Sequence, residues 1–221
     1  MKAATKISPP LWQILRPSDI MGAQNDRRGV RPMVVYGADG LTERGQAWAL
    51  LALAAREHWA LSPLPEVVRE DRGKPRFARV PDRHFNLSHS GPLALCALDG
   101  APVGVDVQVV KEWRAGLPAR VCAPEELAWL ESRTDRWAAF TALWALKESR
   151  VKYTGRGLTS PIRSIAVPLP REGQTLLTRD GLRFRLYAGP GWRAAVCGRS
   201  EPPPSILWRD IPPKGGGPVD L

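Results

Sequence analysis

The sequence predicts an α+β fold, and three observations carry that reading. Helical and strand-like patterns are mixed along the chain without regular β-α-β alternation. Apolar runs are joined by short turn signals such as Asp99-Gly100 and Asp180-Gly181, as in hairpins. The helical stretch at 134–153 is followed by four strand-like segments in succession.

Residues 1 to about 32 read as irregular, with Pro9, Pro10, Pro17 and Pro32 as breakers. Met33–Tyr36 is a short strand that ends at Gly37-Ala-Asp-Gly40. The Ala/Leu-rich run predicts a helix over 41–61, with Thr42 placed as its N-cap. The charged, turn-rich stretch 66–83 reads as surface. Leu93–Leu98 and Val103–Val110 are strands, and the intervening Asp99-Gly-Ala-Pro102 turn predicts that they form a hairpin. In the second, Val103, Val105, Val107 and Val109 share one face, while Gly104, Asp106 and Gln108 share the other. Pro124, Glu125 and Glu126 open a short helix to Leu130. A longer helix runs over 134–153, where Gly155 is placed to stop it. Strands are expected at 164–167, 174–178, 182–187 and 192–197, and the Pro- and Gly-rich end from Glu201 reads as a disordered tail.

The chain has 221 residues, of which 43% are hydrophobic and 24% charged, as in ordinary globular proteins. Its longest apolar run, Ala47–Ala55, falls well short of a membrane span. Pro9, Pro10, Gln13 and Arg16 interrupt any signal-peptide core, so the cytoplasm is the expected compartment. Cys96, Cys122 and Cys197 form no C-x-x-C pair and sit among apolar residues, which fits small buried hydrophobes in a reducing compartment. A net charge of +10 implies an acidic partner: nucleic acid, a phosphorylated ligand or an acidic protein. The basic residues are spread out except for Arg27, Arg28 and Arg31, and no zinc-finger spacing or RNA-reading motif accompanies them.

Four segments are odd for their places. Gly73-Lys74-Pro75 sits in a basic loop, where a solvated turn is the plain reading. Phe85-Asn-Leu-Ser-His-Ser90 puts His89 between two hydroxyls. Asp106 interrupts a valine strand, where Asp is disfavoured unless the strand is an edge. Glu148 and Lys152 could be a surface i,i+4 pair, yet they border the Trp137, Phe140, Trp144 stripe that should meet the core. A buried carboxylate there asks for a cation or metal.

Together these segments resemble one family. Gly73-Lys-Pro75, Phe85-Asn-Leu-Ser-His-Ser90, Val103-Gly-Val-Asp-Val-Gln108 and Trp144-Ala-Leu-Lys-Glu-Ser-x-x-Lys152 with Gly155-x-Gly-Leu158 are similar, in order and spacing, to the 4′-phosphopantetheinyl transferases of the larger, surfactin-synthetase-activating (Sfp-like) type. The resemblance is strong over about residues 70–160 and loose over 1–60.

That resemblance implies a monomer of two similar α+β halves related by a pseudo-twofold, 1–101 and 102–200, followed by the tail 201–221. The cleft between the halves would bind coenzyme A. The implied reaction moves the phosphopantetheine arm onto a serine of an apo acyl- or peptidyl-carrier protein and releases adenosine 3′,5′-bisphosphate. Asp106 and Glu148 would ligate Mg²⁺, with Gln108 a weaker amide ligand where many relatives carry Glu. Lys152 would contact the pyrophosphate, and Lys74, Ser88 and His89 would hold the nucleotide and its phosphates. Arg27, Arg28, Arg31 and Arg44 are candidates for the 3′-phosphate, Gly104 leaves room for the ligand, and Glu148 is the first candidate for the base. Coenzyme A and an acidic carrier would account for the positive charge, so neither nucleic acid nor membrane is expected as a partner. Two other classes stand beside this one. A non-catalytic coenzyme A or carrier binder of the same fold is favoured only by Gln108, and a basic nucleic-acid binder leaves the carboxylates unexplained.

Overall fold

Two four-stranded sheets stacked face to face, each covered on its outer side by a helix, make up the fold. The computed structural model describes residues 31–70, 73–157 and 159–213. The chain divides into two units, Met1–Pro32 and Met33–Leu221, and every element among the described residues belongs to the second. The α+β class expected from the sequence is what forms.

In the first sheet β5 (Leu93–Asp99) lies between β1 (Val34–Ala38) and β4 (His84–Ser90), antiparallel to both. In the second, β9 (Trp192–Gly198) lies between β6 (Val103–Val109) and β8 (Leu182–Gly189), and β7 (Leu176–Arg179) closes the far edge. The two-residue periodicity of strands divides the side chains among three cores. On β5, Ala94, Cys96 and Leu98 pack against α1 (Gln46–Trp59), and Leu93, Leu95 and Ala97 face the second sheet. On β6, Val103, Val105 and Val107 face the first sheet. The other side of the second sheet meets Phe140, Leu143 and Leu146 of α4 (Arg136–Thr154).

Several elements differ from expectation for identifiable reasons. The hairpin expected between 93–98 and 103–110 does not form: β5 pairs with β4 and β1, whereas β6 crosses to the other sheet and pairs with β9. Both strands are apolar on the faces that oppose each other, so they stack across the sandwich instead of bonding edge to edge. The first helix starts at Gln46, because the Gln46 side chain accepts from the Thr42 and Glu43 amides and caps the turn from inside. The stretch 66–83 holds a small hairpin, β2 (Val67–Arg69) and β3 (Pro75–Phe77), which sends Phe77 into the first core. No strand forms at 164–167. The carbonyls of Ile162 and Ile165 accept from Lys147, and that of Ala166 from Arg150, so side chains of α4 occupy the groups a strand would need.

The end of the chain differs most. Residues 201–213 are not a free tail: β10 (Leu207–Trp208) pairs parallel with β1, and Ile206 and Trp208 pack on the inter-sheet core. Tyr187 Oη donates to the Pro203 carbonyl at 2.6 Å, and Arg209 pairs with Glu57 at 2.9 Å. Prolines here remove backbone donors without preventing side-chain packing. A strand from beyond position 200 thus joins the sheet built by residues before 101. Residues 214–221 lie outside the described residues, as do Arg27, Arg28 and Leu158. Arg31 belongs to the Met1–Pro32 unit. The three cysteines are buried and unpaired, and burial pushes the Cys122 and Cys197 thiols up to about 11 and about 12.

Candidate active site

The two sheets meet along β4 and β6, and there the sequence Asn86-Leu-Ser-His-Ser90 explains itself. As an outer strand of its sheet, β6 would leave alternate amides bare. The Val105 amide donates to Asn86 Oδ1 (2.9 Å), Val107 to Ser88 Oγ (3.1 Å) and Val109 to Ser90 Oγ (3.0 Å). Three short polar side chains on one face of β4 thus replace a backbone ladder and fix the register of one sheet on the other. The alternation N-x-S-x-S was the available signal, and the expectation that Ser88 holds the nucleotide did not use it.

On the opposite face of β6, Gly104 lies against α4. A Cβ there would overlap the carbonyl oxygen of Ser149 and the amide of Tyr153. The expected role of Gly104, room for a ligand, is corrected: the space is filled by the helix backbone. This close approach carries Asp106, the next residue on that face, up to the last two turns of α4. Asp106 is 2% exposed. Its Oδ1 accepts from Lys152 Nζ at 2.6 Å and from Ser88 Oγ at 2.9 Å, and its Oδ2 from Gln108 Nε2 at 2.9 Å. Lys152 Nζ also donates to Ser88 Oγ at 2.9 Å. Ser88 therefore joins β4, β6 and α4 at one hydroxyl.

Glu148 stands one turn before Lys152 on the same helix and is half-buried. Burial, then the nearby Asp106 charge, raise its carboxyl above the ordinary glutamate value of 4.5, with Lys152 pulling the other way. Two carboxylates that repel each other in a partly dry site suit a hard divalent cation between them. Among the described residues no group of three or more His, Cys, Asp or Glu could hold a metal, because the third member here is an amide. Two carboxylates, completed by phosphate oxygens and water, still match the sparse protein ligation that Mg²⁺ accepts, so the residues fit. Gln108 directs its amide nitrogen at Asp106, which leaves Oε1 as the atom able to face a cation.

The remaining expected contacts separate. Ser88 and His89 are consecutive strand residues, so they point to opposite faces. Ser88 is buried on Asp106, while His89 is exposed and lines a cleft of about 260 Å³ with Thr42, Glu43 and Arg44. Lys74 turns inward: Nζ donates to the carbonyls of Val103 (3.2 Å) and Tyr153 (3.0 Å), pinning the start of β6 to the end of α4. Burial lowers its pKa. Gly155, at φ 68°, ends α4 against the Lys74 stem in the left-handed conformation glycine tolerates.

Two further pairings were not legible in the sequence. Lys147, adjacent to Glu148, is fully buried and pairs with Glu126 at 2.8 Å. Glu126 lies on α3 (Pro124–Glu131) and also accepts from the Ala123 amide. One turn before Glu148, Trp144 stacks on Trp113 at 5.5 Å between ring centroids, with Lys111 over the Trp113 ring.

Carboxylates, an amide and a lysine gathered where a strand meets a helix form the kind of site that phosphoryl transfer requires. The family described as the 4′-phosphopantetheinyl transferase superfamily matches residues 102–197, the stretch that carries Asp106, Glu148 and Lys152. The 4′-phosphopantetheinyl transferase psf-1 of Bacillus pumilus is 30% identical over 204 residues, covering 84% of this chain and 87% of that protein. A 4′-phosphopantetheinyl transferase of Bacillus subtilis is 34% identical over 156 residues, 67% of this chain and 70% of the relative. The 4′-phosphopantetheinyl transferase Sfp of Bacillus subtilis (strain 168) is 33% identical over 135 residues, and the match spans 58% of this chain and 60% of Sfp. The chain belongs to the 4′-phosphopantetheinyl transferase superfamily. Within it, the chain falls with the larger, Sfp-like members. No helix among the described residues is long and apolar enough to cross a membrane.

Proposed function

We propose that this protein transfers the 4′-phosphopantetheine group of coenzyme A to a serine hydroxyl of an apo carrier protein and releases adenosine 3′,5′-bisphosphate. The observation that carries this reading is the Asp106–Lys152–Glu148 cluster at the β6–α4 seam, in a chain of this family. The serine oxygen bonds to the β-phosphorus of the pyrophosphate, and the bond to the leaving phosphate oxygen breaks. Such a reaction needs positioning and charge neutralisation more than covalent help.

Lys152 Nζ, held by Asp106 and Ser88, meets the negative pyrophosphate. Glu148 accepts the serine proton on its carboxylate. A bound Mg²⁺, held by Asp106 and Glu148 with the Gln108 amide beside them, supplies neutralisation of pyrophosphate charge. Arg44 and His89 at the first cleft suit the nucleotide and its 3′-phosphate. Lys74 and Ser88 act through the scaffold, the one holding β6 to α4 and the other holding Asp106.

The test is intact-mass spectrometry of apo acyl- and peptidyl-carrier proteins after incubation with the protein, coenzyme A and Mg²⁺. A gain of one phosphopantetheine, lost with Asp106→Ala and with EDTA, is the expected result. No gain on any carrier, with coenzyme A still bound, overturns the transferase reading.

A further inference from the structure

The segment that follows β10 reaches the turn that walls the cleft around His89 and Arg44. β10 lies along β1, and the Arg209 amide extends the pairing by donating to the Gly37 carbonyl at 2.8 Å. Arg209 then pairs with Glu57 of α1, and Ile211 packs on the first core. The Ile211 carbonyl accepts from Gln46 Nε2 at 2.9 Å. Gln46 is 2% exposed. At the other end of its amide, Oε1 accepts from the Thr42 amide at 2.8 Å and from the Glu43 amide at 2.9 Å. One buried side chain therefore ties residue 211 to the turn that carries Thr42, Glu43 and Arg44.

Charge gives that turn its importance. Glu43 and Arg44 are adjacent, exposed and opposite in sign, and both line the cleft. An anionic ligand gains from one about what it loses to the other at equal distance. The backbone of the turn therefore decides which charge the ligand meets. Gln46 suits the task, because an amide can accept two N–H groups at its oxygen and donate from its nitrogen. The Ile211 carbonyl sets which end points where. Without that acceptor the buried NH₂ would be unpaired, and turning the amide over would aim a donor at two donors.

We propose that Gln46 is a positioning residue for the nucleotide cleft, oriented by the Ile211 carbonyl, so that residues 209–211 hold Arg44 toward the anionic nucleotide and Glu43 away from it. The proposal rests on the reading of this cleft as the nucleotide site, and adds the residue and chain segment that set its charge.

The experiment is isothermal calorimetry of adenosine 3′,5′-bisphosphate with the full chain, comparing wild type, Gln46→Met and Ile211→Gly, each checked for folding by circular dichroism. Gln46→Met removes both ends of the link. Ile211→Gly loosens the segment while leaving Gln46 and every residue of the cleft in place, and it decides the matter if Gln46→Met fails to fold. Mn²⁺ binding at Asp106 and Glu148, followed by electron paramagnetic resonance, is the control that a general loosening of the fold would also move. The expected result is a nucleotide Kd about tenfold weaker in Gln46→Met and about threefold weaker in Ile211→Gly, with the Mn²⁺ Kd changed less than about twofold in both. Nucleotide affinity unchanged in the folded variants overturns the proposal, as does an equal loss of nucleotide and Mn²⁺ affinity. Absence of nucleotide binding by wild type overturns the reading of the cleft and the proposal together. A wild-type protein that binds the nucleotide through this turn but modifies no carrier refutes the transferase reading and leaves the role of Gln46 standing.

Discussion

Ser88 Oγ donates to Asp106 Oδ1 at 2.9 Å while accepting from the Val107 amide of the same strand as Asp106. One hydroxyl therefore fixes both the backbone and the side chain of β6 relative to β4. Removing it strands a buried amide and takes one of two donors from Oδ1. Ser88→Ala is expected to cost about 2 kcal/mol in urea denaturation. Asn86→Ala, which strands the Val105 amide, is expected to cost a similar amount. A loss under about 0.5 kcal/mol for both would mean that water replaces the side-chain ladder.

At Gly104 the backbone of α4, with the Ser149 carbonyl oxygen foremost, fills the space a Cβ would need. Gly104→Ala sets a methyl against helix backbone, which cannot move as a side chain can. Thermal unfolding should show a loss of at least about 3 kcal/mol, or no folded protein. A near-native melting temperature would contradict the observed spacing.

The Lys147–Glu126 pair is buried on both sides. Lys147→Ala leaves Glu126 charged and unpaired, an expected loss of about 3–5 kcal/mol. Combining Lys147→Met with Glu126→Gln removes both charges and keeps an acceptor for the Ala123 amide, so about 2 kcal/mol or more of that loss should return. Equal instability of the single and double variants would show that the Lys147 bonds to Ile162 and Ile165, and not the charge, are what matter.

Gln108→Glu adds a third carboxylate beside Asp106 and Glu148. Mn²⁺ binding, followed by electron paramagnetic resonance as a Mg²⁺ stand-in, should tighten about tenfold. Binding that is indifferent to both Gln108→Glu and Gln108→Ala would remove residue 108 from the metal site.

Glu148 titrates above 4.5 because burial and Asp106 disfavour its charge. As proton acceptor and Mg²⁺ ligand it must be ionised, so kcat/KM should fall at acid pH, less steeply at higher Mg²⁺, because proton and cation compete for the carboxylate. For stability the sign is opposite. The fold binds the proton more tightly than the unfolded chain, so ionisation costs stability as pH rises from the ordinary value through the raised one. Glu148→Gln should therefore raise the melting temperature of the metal-free protein at pH 7, with the gain fading below the ordinary glutamate pKa. A stabilisation independent of pH would refute the assignment.

The sequence by itself determined the α+β class, the length and stop of α4, the Asp180-Gly181 turn and the alternation of β6. Each follows from local rules: period 3.6, period 2, and glycine or aspartate at positive φ. It also marked Asp106, Glu148 and Lys152, because charged groups stood where packing wanted apolar ones. Tertiary structure alone decided which strands bond and which stack, since Leu93–Leu98 and Val103–Val110 carry the same apolar pattern for either arrangement. It also decided that Leu207 and Trp208 complete a sheet begun at Val34, a pairing between residues far apart in the chain. The same is true of the duties of Lys74, Ser88 and Lys147. Their donors are spent on carbonyls and carboxylates brought together only when the two sheets and α4 close on one another. A polar side chain announces that it needs a partner; only the folded chain says which one it gets.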